Sequence, residues 1–304
     1  MKKWQANIML VIVAMIWGAG FVATEETLKY LEPLQLQILR FGIAAVVACI
    51  IFHKKLFNAS KKAIIYGSII GVVFFLAMTL QTFGLKDTTV PKNAFITVTN
   101  VIWVPLFSFI FLKVKPHSYL LLGIVIMLIG FFFLIFEINI FDLGSSLANL
   151  QSQMNITWGD FLTLLCAFAF ATHIILGGRF VADEDPITIL IFQLIVSTIL
   201  SIVLSFIMEG NPLAVPMENY KNALLPCIFL AIFSSLISFG FQLIAQQYAP
   251  AANVAIICST ESLFASFFAV LLGSVVFTSS LLIAAIVITI GVVYAETGFK
   301  FREG

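Results

Sequence analysis

Charge is what this sequence has least of. Asp, Glu, Lys and Arg make up 10% of its 304 residues, against about 25% in a soluble domain, which excludes an ordinary water-solvated surface. The formal net charge is +1 and no basic patch is gathered anywhere, so nothing points to a nucleic-acid partner. The four cysteines, Cys49, Cys166, Cys227 and Cys258, stand singly in apolar runs. Without a CxxC pair or a Cys/His spacing they give neither a zinc site nor a disulfide framework, and they read as small buried hydrophobes. The three histidines, His53, His117 and His173, are far apart, and no metal or other cofactor is expected. No GxxxxGK[ST] loop is present, so the chain does not itself hydrolyse ATP, and neither HExxH nor GxSxG occurs. With no nucleophile–base pair, an enzyme is not expected. A channel filter repeat and an arginine-striped helix are missing too.

What the chain has instead is apolar length. It is 61% hydrophobic with a mean hydropathy of +1.11, and runs of about 20 apolar residues, enough to span a bilayer as a helix, recur from end to end. Continuous runs rule out a β-barrel, whose strands alternate over short segments. The expected fold is an all-α membrane protein with ten transmembrane helices, at residues 7–25, 34–52, 63–84, 91–112, 118–136, 158–179, 187–208, 221–246, 251–272 and 279–297. "HKKLFNASKK", "KVKPHS", "DEDP" and "EGNPLAVP" punctuate the runs. The N-terminal stretch resembles a signal peptide, but it has a full-length counterpart in the second half and reads as a retained first helix. The bias of lysine and arginine places both termini in the cytoplasm of an inner-membrane protein. Lys2, Lys3, Lys54, Lys55, Lys61, Lys62, Lys113, Lys115, Arg179, Lys300 and Arg302 then face inward, and Lys29, Lys86, Lys92 and Lys221 outward. The acidic "DEDP" loop is the exception, being placed inside.

The two halves resemble each other. "YLEPLQLQILRF" (30–41) pairs with "DEDPITILIFQL" (183–194), setting Pro33 opposite Pro186 and Arg40 opposite Gln193. "DTTVPKNAFITVTN" (87–100) pairs with "QYAPAANVAIICST" (247–260), setting Asn93 opposite Asn253 and Val101 opposite Glu261. Gly130 answers to Gly291, Trp17 to Phe170 and Gly20 to His173. Five helices per half is an odd number, so the repeats are expected to be inverted, the architecture of secondary transporters with a site near the midplane. The organisation expected is a first repeat over 1–136, an external linker over 137–157 with a sequon at Asn155, and a second repeat over 158–304.

"WGAGF" (17–21), "RF" (40–41), "GLKDTTVPKNAFITVTNVIWVPLFSFIFL" (84–112), "GDFLTLLCAFAFATHIILGGRF" (159–180), "QQYAPAANVAIICSTESLFASFFAVLLG" (246–273) and "IGVVYAE" (290–296) make an ordered set. By it the chain resembles the drug/metabolite transporter superfamily in its ten-helix EamA branch. That resemblance implies export of a small metabolite such as an amino acid. It departs from the family where the fourth and ninth helices often close on a glutamate. Here Val114 and Ser274 stand there, and no role of those glutamates carries over.

Polar residues inside the spans are the candidate site. An unpaired charge at the bilayer centre costs about 2.5–3.5 kcal/mol on insertion scales, so it faces protein or water. Glu261 lies ten residues past Ala251, about 15 Å deep. A carboxyl there could exchange a proton and couple transport to a gradient, or merely fix packing. Arg40 could balance Glu261, bind an anionic group, or play the structural part that its counterpart Gln193 favours. Asn93, Thr97 and Asn100 share one helix face by their +4 and +3 spacing, and Asn253, Thr260 and Glu261 match them in the second half. His173 and Phe170 share a face of the sixth helix, Trp17 and Trp103 sit deep enough for cavity walls, and Gln242 with Gln246 could add donors. Each also has a bland reading as interhelical glue, worth about 0.6 kcal/mol per bond.

Three functions compete: a secondary transporter, a membrane scaffold or sensor subunit of the same fold, and an intramembrane lipid enzyme. The first is expected, rocking its halves around the central site, with lipid around it, a small-molecule substrate, and homodimerisation left open. Gly18, Gly20, Gly71 and Gly240 would allow close helix approach. A cavity lined by Asn93, Asn100 and Glu261 would favour transport over a scaffold.

Overall fold

The structure, a computed structural model, describes residues 1–135, 156–273 and 277–300. Most of the expected linker, its Asn155 sequon, and Ser274 lie outside them. Among the described residues there are helices and no strands. The membrane-length helices are α1 Lys3–Leu28, α2 Pro33–Ile51, α3 Lys61–Lys86, α4 Val90–Leu112, α5 Ser118–Ile135, α6 Trp158–Phe180, α7 Pro186–Met208, α8 Met217–Ala245, α9 Ala251–Leu271 and α10 Ser279–Lys300. All but α5 meet a strict length-and-hydropathy measure of a membrane span, and α5 is an apolar helix of 18 residues.

Local chemistry sets the ends. Pro33 and Pro186 each sit in the first turn, where the missing N–H costs nothing. Ser60, Thr157 and Asp185 accept from the N–H three residues on, at Ala63, Asp160 and Thr188, satisfying donors that a helix start leaves free.

The halves are inverted, and their ends show it. Glu209, just past the C-terminus of α7, accepts the N–H groups of Leu34 (2.9 Å) and Gln35 (3.1 Å) at the start of α2. At the other end Lys55, past the C-terminus of α2, pairs with Asp185 at the start of α7 (2.6 Å). Corresponding helices therefore run antiparallel. The α5/α10 pair repeats the pattern through glycine. A Cβ on Gly130 would meet the Ile288 backbone N at 2.9 Å, and one on Gly291 would meet Gly123 O at 2.8 Å and Met127 N at 2.9 Å. Only hydrogen fits at these crossings.

Packing is exchanged between the halves. α1 lies mainly against α8 and α9, and its counterpart α6 lies against α3 and α4. α2 packs on α7 and α8, and α7 on α2 and α3. The units that hold together are thus α1–α8–α9 and α3–α4–α6, bridged by α2 and α7, and the sequence halves are not separate bodies. Gly18 and Gly71 do let backbones touch, with Ala265 N 2.7 Å and Gln193 O 2.9 Å from where a Cβ would stand. Gly240 faces only side-chain tips, Leu190 Cδ2 at 3.3 Å being the nearest.

The acidic loop that broke the charge bias is explained by its partners. Asp183 pairs with Lys62 (2.8 Å) and Asp185 with Lys55, so the loop neutralises lysines on the same face. The Lys62 ammonium bonded to it holds the Asp183 carboxyl below its usual range. A depressed folded value means stability that is present at neutral pH and lost as pH falls through that value. Asp183→Asn is expected to melt below the wild type at pH 7, with the difference closing in acid below about pH 3.9. A pH series of melting curves checks this. Gly291→Val should overpack the α5/α10 crossing by about 1–3 kcal/mol and lower the melting midpoint by several degrees in detergent. An unchanged midpoint would mean that the crossing is not tight.

Candidate functional site

α4 and α9 both break, at corresponding places. α4 consists of Val90–Val98 and Asn100–Leu112, and α9 of Ala251–Cys258 and Glu261–Leu271. Hydroxyls drive both breaks: Thr99 Oγ1 donates to Ile96 O (2.6 Å), Ser259 Oγ to Ile256 O (2.7 Å) and Thr260 Oγ1 to Ile257 O (2.7 Å). The backbone tightens with them into i−3 bonds, Ile102 N to Thr99 O (2.9 Å) and Leu263 N to Thr260 O (3.0 Å). Such side-chain competition with the backbone ladder bends helices. Asn100 and Glu261 open the second segments. A first-turn acid meets the positive end of its helix, worth about 0.3–1 kcal/mol, one reason why an acid is tolerated at this depth.

A third irregularity faces them. α8 is π-helical over Leu230–Ile237, a distortion frequent at functional sites, with Ser238 Oγ donating to Phe233 O (2.8 Å). Ser234 O accepts from the Trp17 indole (3.0 Å). The hydroxyls of Ser234 and Ser235 receive Arg40, whose N–H groups donate at 2.9 and 2.7 Å. A buried guanidinium must have its donors met; Arg40 is 3% exposed and has serine oxygens where a carboxylate would be expected. Among the described residues no acid pairs with it.

Trp17, Arg40, Thr97, Asn100, Phe170, Gln242 and Glu261 line one internal cavity. It runs from the centre between the C-terminal halves of α1 (Gly20, Phe21, Thr24) and α3 (Met78, Gln81, Leu85), toward the face away from the Lys55–Asp185 pair. About 40 Å³ of it is open to water centres, room for about three waters. Among the described residues the Glu261 carboxyl has no hydrogen-bond or ion-pair partner, and Asn100 Oδ1 and Gln242 Oε1 are buried without donors. Arg40 and Glu261 give the cavity a guanidinium on one wall and a carboxyl on another.

The other sequence candidates lie outside this lining. Asn93 is pinned, donating to Thr163 Oγ1 (2.8 Å) and Gln81 O (3.2 Å). His173 is wholly buried between Phe74 and Phe239, with Nε2 3.1 Å from Gln193 Oε1. Trp103 packs on Phe168 at a tilt, with centroids 4.0 Å apart. Asn253 is buried in α9 with Nδ2 free of acceptors, and the Thr260 hydroxyl is spent on Ile257. Sequence reading missed Ser234, Ser235 and Gln81. Their signal was a polar residue in an apolar run, and only the π-helical register turns the two serines toward Arg40.

Inverted five-helix halves, broken helices and unpaired polar groups around a central cavity define a membrane transporter. The chain belongs to the EamA-like transporter family, whose model matches residues 4–136 and 157–296, a transporter family rather than an enzyme family. An uncharacterized transporter of Archaeoglobus fulgidus is 28% identical over 96% of this chain and 86% of its own length. The uncharacterized transporter YyaM of Bacillus subtilis is 26% identical over 79% and 76%. A solved crystal structure superposes with a TM-score of 0.74 at 15% identity over 96% of this chain and 98% of that one, a likeness of fold.

Replacing both Ser234 and Ser235 by alanine should strand the Arg40 donors and cost about 3 kcal/mol or more, since bonds to a charged group are worth about 1.5–3 kcal/mol each. Arg40→Leu in that background should return much of the lost stability, read as detergent melting midpoints. No recovery would mean that the serines matter for something other than Arg40.

Proposed function

We propose that the chain is an alternating-access secondary transporter of the inner membrane that exports small metabolites such as amino acids, with both termini cytoplasmic. The repeats over 1–136 and 158–304, joined by an external linker, frame the site. Glu261 is its central group, either exchanging a proton or contacting substrate, and Arg40 receives an anionic group of the substrate. The observation that carries this reading is the set of unpaired groups, Glu261, Asn100 and Gln242, around one void. A buried polar atom without a partner costs about 1–3 kcal/mol, and here these groups face one space that water or substrate can fill. The cavity extends between α1 and α3, and substrate enters from that side.

The test is efflux from proteoliposomes loaded with a mixed metabolite pool, with and without a pH gradient, the released species being identified by mass spectrometry. Gradient-driven release that Glu261→Gln abolishes is expected, and it would name the substrate. Release untouched by the substitution would reduce Glu261 to packing. No release from folded, reconstituted protein would favour the scaffold.

A further inference from the structure

Two glutamines bridge helices beside the cavity. Gln242 and Ile174 are among its lining residues. One turn further along α8, Gln246 Nε2 donates to the backbone O of that same Ile174 (2.6 Å), and Gln247 Nε2 donates to Val181 O (3.1 Å) where α6 ends. These bonds join α8 to α6, which belong to different packing units of the fold.

The "GG" of "IILGGRF" is the seat for this contact. A Cβ on Gly177 would stand 2.6 Å from Gln246 Oε1 and 3.2 Å from Leu243 Cδ2, and one on Gly178 would stand 3.9 Å from Gln246 Nε2. Without a side chain on Gly177, the amide reaches a carbonyl inside helix α6. By the repeat register the matching residues of α1 are Thr24 and Glu25. Thr24 carries its side chain into the cavity wall and donates to Gly20 O (2.8 Å). The α1/α3 end therefore has no such seat, and the cavity extends toward it. In an inverted-repeat protein, a contact closed at one end and absent from its counterpart marks the end that is shut.

The closure is also weakly held. Gln246 Oε1 is buried without a donor, so the amide meets only half of its needs, and a half-satisfied buried group stabilises less than a satisfied one. A gate has to sit at this low end of the stability range.

We propose that Gln246 and Gln247, seated on Gly177–Gly178, are the gate that shuts the cavity toward the lysine-rich face, and that breaking their bonds to α6 opens it there. This rests on the alternating-access reading, but its test needs no substrate. Cys258 lines the cavity and reports access. With Cys49, Cys166 and Cys227 replaced by alanine, the chain is placed in vesicles of each orientation. Labelling of Cys258 by a membrane-impermeant quaternary-ammonium methanethiosulfonate is then timed. From the lysine-rich face, Gln246→Ala/Gln247→Ala should label about tenfold faster than the parent, the scale set by losing two modest hydrogen bonds. Gly177→Ala, which keeps both glutamines and only displaces the amide, should accelerate labelling in the same direction and decides the matter if the double variant does not accumulate. Labelling at the parent rate in the variants that fold, or acceleration only from the opposite face, would overturn the proposal. Altered labelling in a protein that exports nothing would leave the gate standing and remove the transport reading.

Discussion

A polar group placed among hydrocarbon must find its partner within the chain, and the architecture follows from how each such group is met. Arg40 shows the constraint at its strongest. Its guanidinium is held by Ser234 and Ser235, those serines lie in a π-helical segment of α8, and the same segment offers Ser234 O to Trp17. One distorted stretch thus ties α1, α2 and α8 together from opposite halves. Glu261, Asn100 and Gln242, by contrast, face one shared cavity together with Arg40.

The inverted repeat supplies the frame but not the function, because the two halves differ where side chains fill space. Gly20 and Arg40 stand on one side, and their counterparts His173 and Gln193 pair with each other on the other, under Phe74 and Phe239. The cavity is open where glycine leaves room and closed where an imidazole takes it. The same asymmetry recurs one turn deeper, where a glycine pair on α6 seats Gln246 and α1 has Thr24. Pseudo-symmetry of backbone with asymmetry of side chains leaves two ends that need not be open together.

Exchange of helices between the halves has a mechanical consequence. Since α1 packs with α8 and α9, and α6 with α3 and α4, a hinge between the sequence repeats would tear the best-packed surfaces. Motion between the exchanged units leaves them intact, and the cavity lies on the boundary between those units. The broken helices α4 and α9 put their irregular turns at that boundary, where loosened backbone is shielded from lipid by protein or water.

Sequence alone determined the ten helices and the duplicated order, because hydrophobic length and charged or proline punctuation are local properties. It also located Glu261, Asn100, Gln242 and Trp17, since a polar or bulky residue deep in an apolar run needs an interior. What it could not decide is which polar residues are spent on neighbours. Asn93 and Asn100 share a helix face, yet the Asn93 amide nitrogen is held by Thr163 and Gln81 while Asn100 lines the cavity. Nor could it turn Ser234 and Ser235 toward Arg40, or seat Gln246 on Gly177. Those outcomes depend on helix register and on distances between chain segments far apart in sequence, and only the tertiary structure sets them.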